Sequence, residues 1–588
     1  MSPSAEALRR VAKRDADGLA APHCSQIIAM TDSCPRPASP SPDIARQLDE
    51  LLKPWNRSDE PGVIVGVSQR GKLLYRRAVG LASIEHAQAL TPATRMRIGS
   101  TTKHFCSLGV LLLEEEGRLD VDRPVGTWLP ELGEVCSKPT LLQLMHHTAG
   151  LHDPLPVVFV QGGGYYTQLP AGSHLQMMSR FKDRSFEPGT RFAYSNSGYQ
   201  LLAEVTARVS GKSWSTFLEE RVFQPMGMVN TAVLASDHDI VPNMATLHVR
   251  NPDGQWRRGV YPSDENHGGG GIISTVDDML LWAAHLRGAD KKVGSAALWR
   301  RMLEPQAFAN GARHCYSLGL MTETYRGVRI IHHAGATMGS THQMLTAPDH
   351  SVDIVVMSNR MDVSSPALAL KVLDAVLADD GLAPEVPAPT AADYPALPGR
   401  WYSRTSKTLI EISARPLQPE GPALLLLSTY NNPVGLLERA GAGLAMPDGP
   451  FSTIEFRTPP KDVSSSAGLD VHICGDLERF ERLPEVPPTA ESLAAAICGR
   501  YRQPGYPKEV EIALRDGKLV LDLLPLHGRS YWDLQPYADD VVGCGTYHAI
   551  PHFVLPNAAS LSFERENGEV VGFTYNTDRI RGLRFERI

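Results

Sequence analysis

The sequence predicts an α+β chain, a mixed domain of antiparallel sheet with helices followed by two antiparallel β-barrel domains. Three observations predict it. Strand patterns stand at both ends of the first 380 or so residues, with helical patterns between them. A segment containing five prolines, Gly381–Pro398, separates that region from the rest. Beyond it two short motifs recur: Gly399-Arg-Trp401 returns as Gly499-Arg-Tyr501, and Arg479-Phe-Glu-Arg-Leu483 returns as Arg584-Phe-Glu-Arg-Ile588.

In chain order, residues 1–40 read as a disordered tail, because Cys34–Pro42 is too rich in proline for a helix or a ladder. The first domain spans 41–380. It opens on the amphipathic segment Ile44–Leu52 and a hairpin, Val63–Ser68 and Leu73–Val79, turning at Arg70-Gly71. Helical patterns dominate from Ser100 to Val222, and Ser274–Asp278 reads as a capped helix start. Strands return at Val328–His332, His342–Leu345 and Val352–Met357, and a helix runs from about Pro366 to Leu377. After the 381–398 linker, 399–484 and 494–588 are each all-β by pattern, with Asp516-Gly517 and Asn567-Gly568 as hairpin turns in the second. Duplication explains the repeated ends, and small barrels are the natural closure for such strands.

Composition excludes several classes. The chain has 588 residues and a formal net charge of −7, with no long basic run, so a nucleic-acid partner is not expected. No stretch reaches the ~20 apolar residues of a membrane span. Eight cysteines without a CxxC suggest neither a disulfide scaffold nor a zinc site, and a cytoplasmic location is expected. No metal or cofactor is called for. The oligomeric state stays open, a homodimer among the options.

The chemistry centres on Ser100-Thr-Thr-Lys103. Positions i and i+3 share a helix face, so the Lys103 amine can sit beside the Ser100 hydroxyl. Serine needs an adjacent base to become a nucleophile, and a desolvated lysine can be one. The same spacing occurs at Ser179-Arg-Phe-Lys182, read as an accident of a polar helix surface. Tyr194-Ser-Asn196 and His333-Ala-Gly335 follow in order within the same domain. Each has a decoy, Tyr430-Asn-Asn432 and His267-Gly-Gly269, the latter in a glycine run that reads as a flexible loop.

This ordered set resembles the penicilloyl-serine group of serine β-lactamases, penicillin-binding proteins and their hydrolase relatives, and the Tyr-x-Asn form resembles the class C branch. Leu141–Leu151, Glu187–Thr190 and Pro225–Met228 stand in the expected order. The first domain is thus expected to be β-lactamase-like, and with two eight-stranded barrels behind it the whole resembles bacterial D-aminopeptidases. The resemblance implies Ser100 as nucleophile, with Lys103 and Tyr194 sharing proton transfers. It implies Asn196 on the substrate amide, and the N–H groups of Ser100 and Ala336, beside Gly335, as oxyanion hole. His333 stands where penicillin-binding proteins keep a lysine. A histidine is mostly neutral at pH 7, which favours a small peptide, amide or ester substrate over one held by its carboxylate. In D-aminopeptidases a loop of the last barrel brings an acidic group to the substrate's α-amino group. The stretch expected to match, Tyr547–Asn557 with Tyr547 and His548 at its start, has no carboxylate. Two alternatives stand beside an aminopeptidase or amidase for N-terminal D-residues. One is an esterase or weak β-lactamase on the same scaffold, the other a catalytically silent ligand-binding protein.

Overall fold

The computed structural model describes residues 42–160, 169–170, 172–234, 236–251, 253–260, 267–305, 307–430, 432–440, 443–446, 454–457, 468–525, 530–548 and 555–588. The expectations for residues 1–40 and for 549–554 of the proposed specificity stretch lie outside the described residues.

The first domain is built on a six-stranded antiparallel sheet. Its strands are Val63–Gln69 (β1), Lys72–Val79 (β2), Met321–Tyr325 (β3), Val328–Thr337 (β4), Ser340–Ala347 (β5) and Val352–Ser358 (β6), in the order β3-β4-β5-β6-β1-β2. The β1–β2 hairpin turns through Arg70 and Gly71, both at positive φ (53° and 75°), as a two-residue turn matching strand twist requires. Five helices matter to the site: Pro42–Leu52 (α1), Thr102–Glu115 (α2), Asn196–Ser210 (α3), Val276–Arg287 (α4) and Ser365–Val376 (α5). Alternation along β1 sorts the core. Val63, Val65 and Val67 pack with α1 and α5, while Ile64 joins the helical core on the other face. On that second face a Cβ at Gly66 would lie 2.5 Å from Val276, so α4 can rest on the sheet only above a glycine. Helix α2 runs through the centre of the helical layer, buried from Thr102 to Leu113.

Strand β4 is longer than its sequence suggests. The apolar run ends at His332, but the strand continues to Thr337 because β5 pairs with it through Thr337↔Ser340. His333 therefore sits within the sheet, not beyond its end.

The two C-terminal domains share one closing device. Trp401 pairs with Arg482, and Tyr501 with Arg587, at the seam between first and last strands. A Cβ at Gly399 would meet the Arg482 guanidinium at 3.0 Å, and one at Gly499 would meet that of Arg587 at 3.2 Å. Trp401 Nε1 donates to Leu397 O and Tyr501 OH to Ile497 O, each four residues back. The last domain is a closed eight-stranded barrel with a helix, Ala490–Ile497, at its start. The preceding one departs from the expected eight strands. Among the described residues it is a nine-stranded sheet whose two edges, Asn432–Leu436 and Glu438–Ala440, are consecutive in the chain, leaving it open between them. The proline-rich segment is not a free spacer along its whole length: Tyr394 and Leu397 are buried in this domain's core. Among the described residues no helix is long and apolar enough to cross a membrane.

Candidate active site

Ser100 lies on a single helical turn, Gly99–Thr101, that feeds into α2. Two neighbours fix that turn. On one side the short strand Met96–Arg97 pairs with Ile272–Ser274, and Ile98 N–H donates to Ile272 O at 3.0 Å. On the other side β4 approaches too closely for any side chain. A Cβ at Gly335 would stand 1.9 Å from Ile98 O, and one at Gly99 would stand 2.7 Å from Ala336 N. These two glycines bring the Ala336 backbone against the residue preceding Ser100. Thr101 secures the contact, its hydroxyl donating to His333 O at 3.3 Å and meeting His342 Nδ1 at 2.8 Å.

Lys103 is wholly buried. Its Nζ lies 3.2 Å from Ser100 Oγ and donates to Asn196 Oδ1 at 2.8 Å and to Gly269 O at 2.7 Å. The ammonium also stands 4.8 Å from the centroid of the Tyr194 ring. Burial drives the Lys103 pKa well below the usual lysine range, and the positive Arg579 pushes it the same way, against the opposing pull of Asp153. A neutral amine keeps two N–H bonds and a lone pair. With the two carbonyl-type oxygens of Asn196 and Gly269 taking the N–H bonds, the lone pair faces the Ser100 hydroxyl.

Burial raises the Tyr194 pKa, although Ser100 is near enough to the Tyr194 hydroxyl to lower it, so Tyr194 stays a phenol and can give a proton. Behind it runs a chain of buried rings whose hydrogen bonds all point one way. Ser195 N–H donates to His147 Nδ1 at 3.0 Å, which leaves the proton of a neutral ring on Nε2. That Nε2–H donates to the Tyr316 phenol oxygen, Oη, at 3.1 Å, and Tyr316 Oη–H donates to His333 Nε2 at 3.3 Å. His333 Nδ1–H ends on Ala334 O at 2.6 Å. Burial first, and Lys103 second, push the His333 pKa down to about 3, so this ring is neutral.

The helix that carries Asn196 is held at its start by Asp153, which accepts from Asn196 N–H at 3.0 Å and from Ser197 Oγ at 2.9 Å. Asp153 is itself met by the last barrel. The segment between the strands Glu569–Thr577 and Leu583–Arg587 crosses to the first domain, where Arg581 N–H donates to Ser185 Oγ at 3.1 Å. It sets Arg579 Nη1 3.9 Å from Asp153 Oδ2, and the guanidinium 5.6 Å from the Tyr194 centroid. Asp578, its neighbour, lines a small cavity with Tyr194 and the apolar side chains of Phe192, Ile454 and Ile473. Burial raises the Asp578 pKa, and Arg579 opposes the rise.

The family model described as Beta-lactamase matches residues 44–378, more than half of the sequence. The chain belongs to the beta-lactamase family. Among curated proteins it is similar to a D-aminopeptidase of Cereibacter sphaeroides, 28% identical over 556 residues, which are 92% of this chain and 98% of that protein. It is also similar to a D-aminopeptidase of Gluconobacter oxydans, 26% identical over 552 residues, 90% and 96% of the two chains. Among solved structures, the octameric penicillin-binding protein homologue from Pyrococcus abyssi shares the fold: 17% identity, 92% and 99% coverage, TM-score 0.50.

In this beta-lactamase-family chain Ser100, Lys103, Tyr194 and Asn196 stand together, with Gly335 and Ala336 against the turn of Ser100. His333 packs against the Tyr194 ring, centroids 6.4 Å apart, with its Nε2 engaged by Tyr316. Tyr547 and His548 do not approach Ser100 through any bond of the described residues. Tyr547 stacks on Trp532 and bonds Ser530, and His548 pairs with Asp533 at 2.9 Å. The residues that do cross from the last barrel, Asp578 and Arg579, escaped the sequence reading. Their signal in the sequence is Thr577-Asp-Arg-Ile-Arg-Gly582, a hairpin carrying one carboxylate and two arginines. Asp540, a few residues upstream of Tyr547, pairs with Arg404 of the preceding domain. Of the decoys, Ser179 bonds its own helix at Gln176 O, and Tyr430 bonds Lys407 O. The third belongs to the site. His267–Gly270 is a helical turn, not a flexible loop, and a Cβ at Gly268 would sit 2.4 Å from Tyr199 O. Only a glycine run packs tightly enough against α3 to present Gly269 O to Lys103.

Proposed function

We propose that the protein is a serine hydrolase that releases N-terminal D-amino acids from small peptides, amides or esters through an acyl-enzyme on Ser100. The observation that carries the chemistry is the buried Lys103 amine 3.2 Å from Ser100 Oγ, its other hydrogen bonds fixed by Asn196 and Gly269. Neutral Lys103 takes the Ser100 proton as Oγ bonds to the substrate carbonyl carbon. The N–H groups of Ser100 and Ala336 receive the oxyanion. As the C–N or C–O bond breaks, Tyr194 passes a proton to the leaving group and recovers one from the Lys103 ammonium. Water then enters, gives its proton back through the same pair, and frees the acid and Ser100. Asn196, its Oδ1 occupied by Lys103, has its Nδ2 donor for the substrate amide.

Asp578 supports the aminopeptidase reading. It is the carboxylate that the last barrel brings beside Tyr194, and it suits the α-ammonium of a substrate whose carbonyl lies at Ser100. The names carried by the two curated relatives, which align over both C-terminal domains as well as the first, support D-residues as the acyl component. A neutral His333 offers no cation to a substrate carboxylate, which argues against action at C-termini. The test is a set of matched p-nitroanilides: D-aminoacyl, L-aminoacyl and N-acetyl-D-aminoacyl, with a simple acyl ester alongside. The free D-aminoacyl compound should exceed the other two anilides in kcat/KM by ~10-fold or more. Equal rates on the ester and no dependence on the amino group would make the protein an esterase instead.

A further inference from the structure

A second cavity of about 330 Å³ opens where the three domains meet, lined by Arg184 and Arg191 of the first, Lys407 of the second and Arg581 of the third. The hydroxyls of Ser185, Thr405, Ser406 and Thr574 and one carboxylate, Glu564, complete the polar wall. The charges do not cancel. Arg184 is matched by Glu187 at 2.6 Å, Arg191 by Glu478 at 3.0 Å, and Glu564 by Arg584 at 3.3 Å. Lys407 and Arg581 form no ion pair among the described residues. Arg581 also has two atoms, Nε and Nη1, that are shielded from water and bonded to nothing among those residues. Guanidinium cannot shed its charge, and buried N–H groups in native proteins are almost always satisfied. Lys407, and an Arg581 whose nearby acid is Asp578 on its own segment, face a wall of hydroxyls and form a cradle for an anion with several acceptor oxygens.

We infer that this three-domain cavity binds a small oxyanion, a phosphate or carboxylate group held between Arg581 and Lys407. Arg581 belongs to the segment that carries Asp578 and Arg579 to Tyr194, and its side chain also lines the apolar cavity there. An oxyanion on Arg581 would tie that segment to both neighbouring domains. The inference does not depend on the proposed activity.

The test is calorimetric titration of the full chain with inorganic phosphate, at constant ionic strength with chloride as control. Saturable binding of one phosphate per chain is expected. Arg581→Gln should weaken it by ~10-fold or more, and Lys407→Gln by ~3-fold or more with an unchanged melting temperature. Should Arg581→Gln not fold, Lys407→Glu carries the test, since a reversed charge on the half-exposed rim should abolish binding. Phosphate heats no larger than those of chloride, or equal affinity in every folded variant, would overturn the inference. The source of the oxyanion is read by competition in Ser100→Ala protein. If D-alanyl-D-alanine displaces phosphate and its C-terminal amide does not, the site takes the carboxylate of a bound peptide. If neither displaces it, the ligand is a free oxyanion.

Discussion

Replacing Arg579 by glutamine is expected to move the acid limb of activity to higher pH. The reasoning turns on the charge state of Lys103. As a base it must be neutral, so activity falls as pH drops through its pKa. Arg579 lowers that pKa and Asp153 raises it. Removing the arginine deletes the first effect and leaves the second with a carboxylate no longer paired, so both consequences raise the Lys103 pKa. The Lys103 ammonium and the Arg579 guanidinium lie 4.8 Å and 5.6 Å from the centroid of the same Tyr194 ring, so the two charges are at most ~10 Å apart. At that distance and an effective dielectric of ~20, unit charges repel by about 1.6 kcal/mol. That corresponds to about one pKa unit. The assay is kcat/KM against pH for a D-aminoacyl p-nitroanilide, with native and Arg579→Gln protein compared at equal ionic strength. A limb displaced upward by about one unit is expected. A limb that stays in place, or moves down, would refute Lys103 as the titrating base or Arg579 as its electrostatic neighbour.

Other outcomes follow from the same geometry. Ser100→Ala should abolish turnover with a melting temperature within a few degrees of native, because Ser100 is only half-buried, and a slow acylating substrate should leave its adduct on Ser100 and not on Ser179 by mass spectrometry. Asp578→Asn should cost ~10- to 100-fold in kcat/KM for a free aminoacyl substrate while changing an N-acetylated one little, which narrows the preference between them. Gly268→Ala should destabilise the fold by about 1–3 kcal/mol in denaturant unfolding and lower kcat, since its methyl group would collide with Tyr199 O and displace Gly269 from Lys103.

The order of domains, the mixed first domain and the Ser100, Lys103, Tyr194, Asn196 set were legible in the sequence because each rests on local regularity. A Ser-x-x-Lys at the head of an apolar helix places its own two side chains together, since i and i+3 lie on one face. The β1–β2 hairpin needed only Arg70-Gly71 between two apolar runs. The repeat of Gly-Arg-aromatic and Arg-Phe-Glu-Arg showed two related domains, because the arginine of one motif packs over the glycine of the other in both copies. What the sequence could not decide were contacts between distant segments. Strand β4 runs past His332 because β5 extends it, a pairing that hydropathy does not record. The run His267–Gly270 looks like slack chain until α3 is laid against it. Tyr316, 17 residues from His333, engages its Nε2 only once the sheet is formed. Asp578 and Arg579 reach Tyr194 across nearly 400 residues of chain because the barrels fold back onto the first domain. Local spacing determined which residues could do chemistry; tertiary packing decided the charge each one carries, since burial and the nearest opposite charge are properties of the assembled fold and of no segment within it.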